Sequence, residues 1–213
     1  MTIPRHRTPR YRQMRIGTKS VLFGAHQFLI HPWFVAWGWW TLYGFPFDPR
    51  LWCAFFLHDL GYIGKPNMDG PEGETHPEFG SDLMRGLFGA EWGDFCLLHS
   101  RYYAKSLGKQ PSRLCMADKL AIALTPAWLY LPLVRATGEI NEYMAHAKHR
   151  TVGNINITDE EKRRVISSSQ SEWYAGVRSY CRRWALAHRD GAVDTWTSDA
   201  RNRATINEAG VWE

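Results

Sequence analysis

Residues 55–62 read FFLHDLGY, an apolar run that carries a histidine and an aspartate side by side into what should be a dry interior. A buried charge needs a partner. Because neighbouring helical residues point about 100° apart, His58 and Asp59 share one target only if it lies between their two directions, as a metal ion can. An imidazole nitrogen and a carboxylate oxygen form a ligand set that suits Zn, Fe or Mn. The alternative is a buried histidine hydrogen-bonded to the backbone of a neighbour.

Length and composition favour one well-packed domain with tails. The chain has 213 residues, enough for one sizeable core and too few to require two. Its hydrophobic residues make up 45% of the sequence and its aromatic residues 14%, which argues for a globular protein and against disorder.

The positive charge is concentrated at the N-terminus. Residues 1–20 contain no acid, whereas the remaining 193 residues hold 20 bases and 21 acids and are therefore close to neutral. The bases of the arm are Arg5, Arg7, Arg10, Arg12, Arg15 and Lys19. Residues 1–17 are predicted to form a basic arm, which either solubilises the protein or contacts nucleic acid or an acidic partner.

Two further patterns bear on the cellular setting. The four cysteines are widely separated and form no C-x-x-C pair, which favours reduced core thiols in the cytoplasm. The 28 positions between Lys19 and Asp48 carry no charge. Since histidines, a proline and tryptophans are scattered through the middle of this run, it favours a fully buried central helix over a membrane span. The N-terminus shows no convincing cleavage site of a signal peptide.

Glycine, proline and capping residues predict an all-α chain, because no segment sustains an alternation of period two. The first helix is expected from Thr18 or Ser20 to about His31, and a loop at 62–75 is expected over a site. Further helices are predicted at 32–43, 49–61, 76–89, 91–107, 111–124 and 126–137. A β-friendly piece at 152–157 follows, and a capping box at 158–161 opens a long helix to about His188. The tail from 190 onward shows little pattern.

Six candidate metal ligands fall on or at the start of five predicted helical elements. They are His31, His58, Asp59, His76, His99 and Asp118. Each has an ordinary structural explanation when taken alone, such as a core histidine or a paired carboxylate. Together they form the pattern expected when a helical bundle gathers a metal site in its core from facing side chains.

This pattern resembles the HD-domain superfamily of metal-dependent phosphohydrolases, and the resemblance covers about residues 20–135. It is carried by HPWFVA from His31, FLHDLG around the His-Asp pair, HPEFG from His76, LLHS around His99 and MADKL around Asp118. It implies an HD-like helical bundle at 18–137. It does not extend to the basic arm or to the C-terminal extension at 138–213, which we expect to carry one long helix packed on the same domain.

The two additional histidines resemble the two-metal branch of that superfamily. By similarity, His31, His58 and Asp118 hold one divalent transition metal, His76 and His99 hold the other, and Asp59 bridges them. Iron or manganese is the first expectation, with Mg, Co or Zn as alternatives. His26 is a rival for the first ligand position.

The resemblance implies an enzyme that hydrolyses a nucleotide, a dinucleotide or another small phosphorylated substrate, with His58 and Asp59 central to catalysis. Two ions about 3.5–4 Å apart lower the pKa of a shared water and stabilise the entering and leaving oxygens. Basic residues near the ligands are candidates for binding the phosphate, although each could be an ordinary surface charge. They are Lys65, Arg101, Lys105 and Lys119.

Two other functions use the same features. A mixed-valent di-iron oxygenase of the same superfamily has the same six ligands and cleaves a carbon bond with O2. A non-catalytic module would bind nucleic acid through the basic arm and keep its metals for structure. No membrane partner is expected, and the sequence does not specify an oligomeric state.

Overall fold

The computed structural model describes Tyr11, residues 14–151, Asn154 and residues 156–191. Within these residues the regular structure is helical and contains no strand, so the predicted all-α class is confirmed. The helices are α1 Ile16–Phe23, α2 His31–Tyr43, α3 Pro49–Leu57, α4 Pro71–Glu74, α5 Pro77–Phe88, α6 Ala90–Leu97, α7 Arg101–Ser106, α8 Arg113–Leu124, α9 Ala127–Thr137, α10 Glu139–Thr151, α11 Asp159–Val165 and α12 Gln170–His188, with a 3-10 turn at Leu60–Tyr62.

Local sequence decides where several helices begin. The Asp48 carboxylate accepts the Arg50 backbone N–H at 2.9 Å, and Pro49 occupies the first turn of α3. At α11 the predicted capping box forms, because the Thr158 hydroxyl and the Glu161 carboxylate each accept the other residue's backbone N–H. These starts are therefore confirmed.

Helix α8 lies at the centre of the packing, with α2 on one side and α12 on the other. The approach to α2 is close: a Cβ at Gly38 would lie 2.5 Å from the Ala117 carbonyl oxygen, so only glycine fits there. Val35, Phe55 and Leu114 are fully buried in the core between these helices. This core fixes the helices that carry the candidate ligands.

Some predicted helices are shorter than expected or divided. Helix α1 ends at Phe23, and α3 ends at Leu57. The predicted 91–107 helix is α6 and α7, because Ser100 leaves the helical conformation and its hydroxyl accepts the Tyr103 N–H at 3.4 Å. The predicted long C-terminal helix is also two helices, since Ser169 is extended and caps the start of α12. The C-terminal extension therefore does not consist of one long helix.

Helix α10 was not predicted from the sequence, because residues 139–151 are mostly polar. It is anchored by Glu139, whose carboxylate accepts the Ala25 N–H at 3.0 Å, and by Glu142, which accepts the Met68 and Asp69 N–H groups at 3.0 and 2.7 Å. The extension thus holds both α1 and the 62–75 loop. Positions 1–10, 12, 13, 152, 153, 155 and 192–213 lie outside the described residues, as do most of the predicted arm, part of the β-friendly piece and most of the tail.

The charge-free run does not form the expected buried central helix. Turns separate α1 from α2, and α2 exposes Trp33, Trp37 and Trp40 by 57%, 51% and 59%. The same helix buries Val35, Ala36 and Trp39. No single helix among the described residues combines the length and the hydrophobicity needed to cross a membrane. Helices α8 and α9 have the required length and hydrophobicity only when they are taken together, and the angle between them is 101°.

Candidate metal centre

Tertiary contacts bring the six candidate ligands to one place, and five of them lie where a helix begins or ends. All six side chains are buried. His31 opens α2, His58 and Asp59 follow α3, His76 precedes α5, His99 lies between α6 and α7, and Asp118 lies within α8. The unpredicted helix ends at Leu57 and Leu97 therefore lie beside ligands, His58 and Asp59 in the first case and His99 in the second.

A close backbone approach seats the His-Asp pair against the third histidine. A Cβ at Gly61 would lie 2.0 Å from the His76 carbonyl oxygen, so a larger residue would push the turn after Asp59 away from α5. This contact fixes the position of His58 and Asp59 relative to His76, although the residues belong to different elements.

The first group of ligand atoms surrounds one oxygen of Asp59. His31 Nε2 lies 3.3 Å from Asp59 Oδ2 and 3.1 Å from Asp118 Oδ1. His58 Nε2 lies 3.0 Å from the same Asp59 oxygen. The ligand atoms of these four residues all lie within 4.8 Å of one another, so this group could hold a metal ion.

The second group surrounds the other oxygen of Asp59. His76 Nε2 and His99 Nε2 lie 3.5 and 3.4 Å from Asp59 Oδ1 and 3.1 Å from each other. This second group could also hold a metal ion. Asp59 thus faces both groups, and the grouping is the one that the resemblance to the HD superfamily implies.

Backbone carbonyls orient three of the imidazoles. Nδ1 of His58 lies 3.0 Å from the Phe55 oxygen, and Nδ1 of His76 lies 2.7 Å from the Gly73 oxygen. His99 Nδ1 makes the same bond to the Cys96 oxygen. Because a carbonyl only accepts, Nδ1 carries the proton in each bond, and the lone pair of Nε2 is directed into the centre. Metal-binding histidines in proteins are oriented in this way.

Three buried polar atoms at the centre have no hydrogen-bond partner in the described part of the chain. They are His31 Nε2, His58 Nε2 and Asp59 Oδ2. Buried groups of this kind are rare, because each costs about 1–3 kcal/mol unless something satisfies it. A set of nitrogen and oxygen donors around a common point, held from behind by backbone bonds, fits a divalent transition metal.

The comparisons with known proteins give no family for this centre. The chain matches no family model, no curated protein and no solved structure. Membership of the HD superfamily therefore stays a prediction from the motifs, and the structure contributes the geometry of the donors.

The electrostatics differ between the two groups. Burial alone would lower the pKa of His58, but the carboxylates of Asp59 and Asp118 outweigh it and raise the pKa to about 10, so they favour a cation at Nε2, where a bound metal ion would replace the proton. In the second group, burial and the neighbouring His99 hold the pKa of His76 well below its usual value. The first group has two carboxylates and the second shares one, so the first attracts a cation more strongly.

The four predicted phosphate-binding residues divide into two pairs. Lys119 and Arg101 line a cavity of about 240 Å³ that opens beside the centre. The Lys119 ammonium lies 2.7 Å from Asp118 Oδ2, and the Arg101 guanidinium lies over the Trp184 ring at 5.1 Å. Lys65 donates a hydrogen bond to the Thr75 hydroxyl and, like Lys105, is not among the residues that line the cavity.

His26 lines the same cavity but belongs to neither ligand group. Its Nδ1 lies 2.8 Å from the Ser20 hydroxyl, which is in turn hydrogen-bonded to the buried carboxyl of Glu139. Burial lowers the pKa of His26 to about 4, against the pull of the Asp59 carboxylate. The structure therefore favours His31 over His26 in the first group. Glu139 carries no motif that the sequence could have revealed.

Proposed function

We propose that the protein is a metal-dependent phosphohydrolase that uses two divalent ions to hydrolyse a small phosphorylated substrate. The observation that carries this proposal is the position of Asp59, with one carboxylate oxygen in each of two groups of buried donors. A bridging carboxylate between two sets of imidazoles is the arrangement that two-metal hydrolysis requires.

The donors present also limit the metal. Among the described residues both groups contain only imidazole nitrogens and carboxylate oxygens, and no cysteine takes part. Ligands of this kind suit iron or manganese, with zinc, cobalt and magnesium as the other candidates. When bound, two such ions would polarise a phosphate oxygen and lower the pKa of water.

The chain's own residues would orient the imidazole ligands and bind the substrate's phosphate. The bonds from Nδ1 of His58, His76 and His99 to backbone carbonyls keep the imidazoles in one tautomer and one direction. The cationic groups of Lys119 and Arg101 at the cavity wall would attract the substrate's phosphate and offset its negative charge. The burial of the centre limits access of bulk water and strengthens these charge interactions.

The proposal is tested by metal content and phosphate release measured together. The purified chain would be loaded in turn with Mn, Fe(II), Co, Mg and Zn and incubated with nucleoside monophosphates, dinucleotides and simple phosphate esters. We expect two ions per chain and metal-dependent release of inorganic phosphate from at least one ester. Two bound ions without hydrolysis of any ester in the panel would contradict the proposal.

A di-iron oxygenase is the second candidate, and it is favoured by one observation. The cavity beside the centre is partly walled by aromatic side chains, including Tyr62, Tyr130 and Trp173, which suit a dry pocket for a carbon substrate. Anaerobic purification followed by a measurement of O2 consumption against phosphate release separates the two reactions. The residues of the basic arm that would bind nucleic acid lie mostly outside the described part of the chain.

A further inference from the structure

The cavity beside the metal centre is lined by two unlike groups of side chains. One group consists of the histidines and aspartates of the centre together with Arg101 and Lys119. The other group, called the aromatic end below, belongs to one packed apolar cluster that includes Tyr130, Tyr143 and Trp173. One part of the cavity could hold metal cations and an anionic group, and the other part is aromatic. Such a cavity matches a ligand that consists of an anionic group and a ring.

The aromatic end is continuous with the metal centre. The Tyr62 ring lies face to face on the His76 ring, with centroids 3.9 Å apart and an angle of 9° between the planes. Tyr143 packs against Tyr62 and Met68 on one side and against the cluster that contains Trp173 on the other. The Tyr143 and Trp173 rings are nearly parallel, at 8°. A wall of aromatic side chains therefore leads from a candidate ligand into the C-terminal extension.

The Tyr143 hydroxyl is the polar group of this wall that lacks a partner. Its oxygen is buried and has no hydrogen-bond partner among the described residues. Leaving a buried hydroxyl unsatisfied costs free energy, so such a group in a cavity indicates a ligand or a water that completes it. Burial also raises the pKa of Tyr143 well above its usual value, so the phenol stays neutral and can both donate and accept.

The C-terminal extension builds this end of the cavity. Tyr143 belongs to α10 and Trp173 to α12, whereas the ligands come from α2 to α8. Glu142, the residue before Tyr143, fixes α10 to the loop at Met68 and Asp69. The ring wall is thereby held at a set distance from the centre.

We propose that this aromatic end is the binding subsite for the organic part of the substrate, and that this part is an aromatic or heterocyclic ring whose polar atom bonds to the Tyr143 hydroxyl. The inference deepens the proposed function and rests on it, because the phosphate would lie at the other end of the same cavity. The substrate class is then a phosphate monoester of a ring-bearing alcohol.

The size of the cavity sets an upper limit. Its volume of about 240 Å³ is below the roughly 300–1,000 Å³ of pockets for drug-sized ligands, so a single nucleotide or a smaller ester fits better than a dinucleotide. Hydrolysis breaks the bond between phosphorus and the alcohol oxygen. The oxygen of water forms the new bond to phosphorus, a proton passes to the alcohol oxygen, and the products are inorganic phosphate and the alcohol.

A matched pair of esters tests the subsite. Phenyl phosphate and methyl phosphate carry the same anionic group, so a difference in Kd between them, measured by calorimetry on the metal-loaded protein, reports the ring alone. We expect phenyl phosphate to bind at least about tenfold more tightly, because burial of a ring supplies that much. Because phenol is a better leaving group than methanol, the comparison of the two esters uses Kd and not the rates of hydrolysis.

Two variants and one control locate the effect. Val177 lines the aromatic end, so Val177→Phe fills it and is expected to bring phenyl phosphate to the level of methyl phosphate. Tyr143→Phe removes only the hydroxyl and is expected to weaken binding of at least one of the four common nucleoside 5′-monophosphates by about fivefold. Leu186→Phe, which also introduces a phenyl ring but at an exposed position of α12, is the control and should change neither the preference for phenyl phosphate nor the binding of nucleotides.

The outcomes separate this inference from the proposed function. If phenyl phosphate binds more tightly but no ester is hydrolysed, the subsite is supported and the proposed hydrolase function is refuted. If both esters are hydrolysed but bind equally, the proposed hydrolase function is supported and the subsite is refuted. A failure of phenyl phosphate to bind at millimolar concentration, or an unchanged preference for the ring in a folded Val177→Phe protein, also refutes it.

Discussion

Two buried clusters of charged residues in this molecule are satisfied in opposite ways. Glu161, which is 3% exposed, accepts hydrogen bonds from the Thr158 N–H, the Ser179 hydroxyl and the Arg183 guanidinium, at 2.6–3.0 Å. Asp59, which is 7% exposed, faces imidazoles at 3.0–3.5 Å, yet its Oδ2 makes no hydrogen bond.

The difference distinguishes a structural charge from a ligand. A buried carboxylate that serves the fold gathers donors until its oxygens are satisfied, as Glu161 does. At the candidate metal centre, backbone carbonyls hold the outer nitrogens of three imidazoles, and the Nε2 atoms of His31 and His58 point at the carboxylates with no hydrogen-bond partner among the described residues. Burial alone therefore does not identify a candidate metal site, whereas buried, converging donors that lack partners form groups that could hold a metal ion.

The largest expected effect comes from removing the bridge. Asp59→Ala should remove both metals and abolish activity, because its two oxygens face both groups. Elemental analysis of the purified variant measures this loss. Glu161→Gln is the matched control, a change at an equally buried carboxylate that should keep both ions. Full metal content in Asp59→Ala would show that our role for this residue is wrong.

An intermediate effect is expected from a single histidine of the second group. His99→Ala should lower the metal content from about two ions to one, because the first group keeps all four of its ligand residues. His188 provides a matched control, since it is also buried and also bonds through Nδ1, at 2.7 Å, to a backbone carbonyl, that of Trp184. Loss of both ions in His99→Ala, or of either ion in His188→Ala, would contradict the assignment of His99 to a separate second group.

The smallest effect is on stability and depends on pH. Burial alone would raise the pKa of Glu161, but Arg183 and the other donors lower it to about 2, below the value of 4.5 expected in the unfolded chain. The stabilisation is therefore fully present above pH 4.5 and is lost as the pH falls through about 2. Glu161→Gln should lower the free energy of unfolding by about 2 kcal/mol at pH 7, a value reduced for the partial exposure of Arg183. Urea unfolding at pH 7 and near pH 2 measures this, and an equal loss at both would contradict it.

The fold was predictable where its causes are local. The starts of α3, α5 and α11 follow from Asp48, Pro77 and Thr158, since a cap or a proline acts on the residues next to it. Helix α10 escaped prediction because it is held in place by Glu139 and Glu142, whose partners lie more than 70 residues away. The exposure of Trp33 was also missed, because composition does not show which face of a helix meets another.

The candidate site was predictable to a different extent at its two ends. The six donors could be named because imidazoles and carboxylates in an apolar setting are costly and therefore conspicuous in a sequence. The aromatic end could not be found, because Tyr143 and Trp173 resemble any other aromatic residues of a helical core. Lys65 and Lys105 were selected for their closeness in sequence to ligands, and closeness along the chain does not place a side chain in a cavity.

By itself the sequence determined the all-α class, the starts of α3, α5 and α11 and the chemical identity of the candidate donors, because these depend on residue type and on neighbours a few positions away. Only the tertiary structure decided that Asp59 presents one oxygen to each group, that His26 stands apart from both, and that the extension closes an aromatic cavity beside them. The physical reason is that a site of this kind consists of distances between elements, and those distances are set by packing over the whole chain.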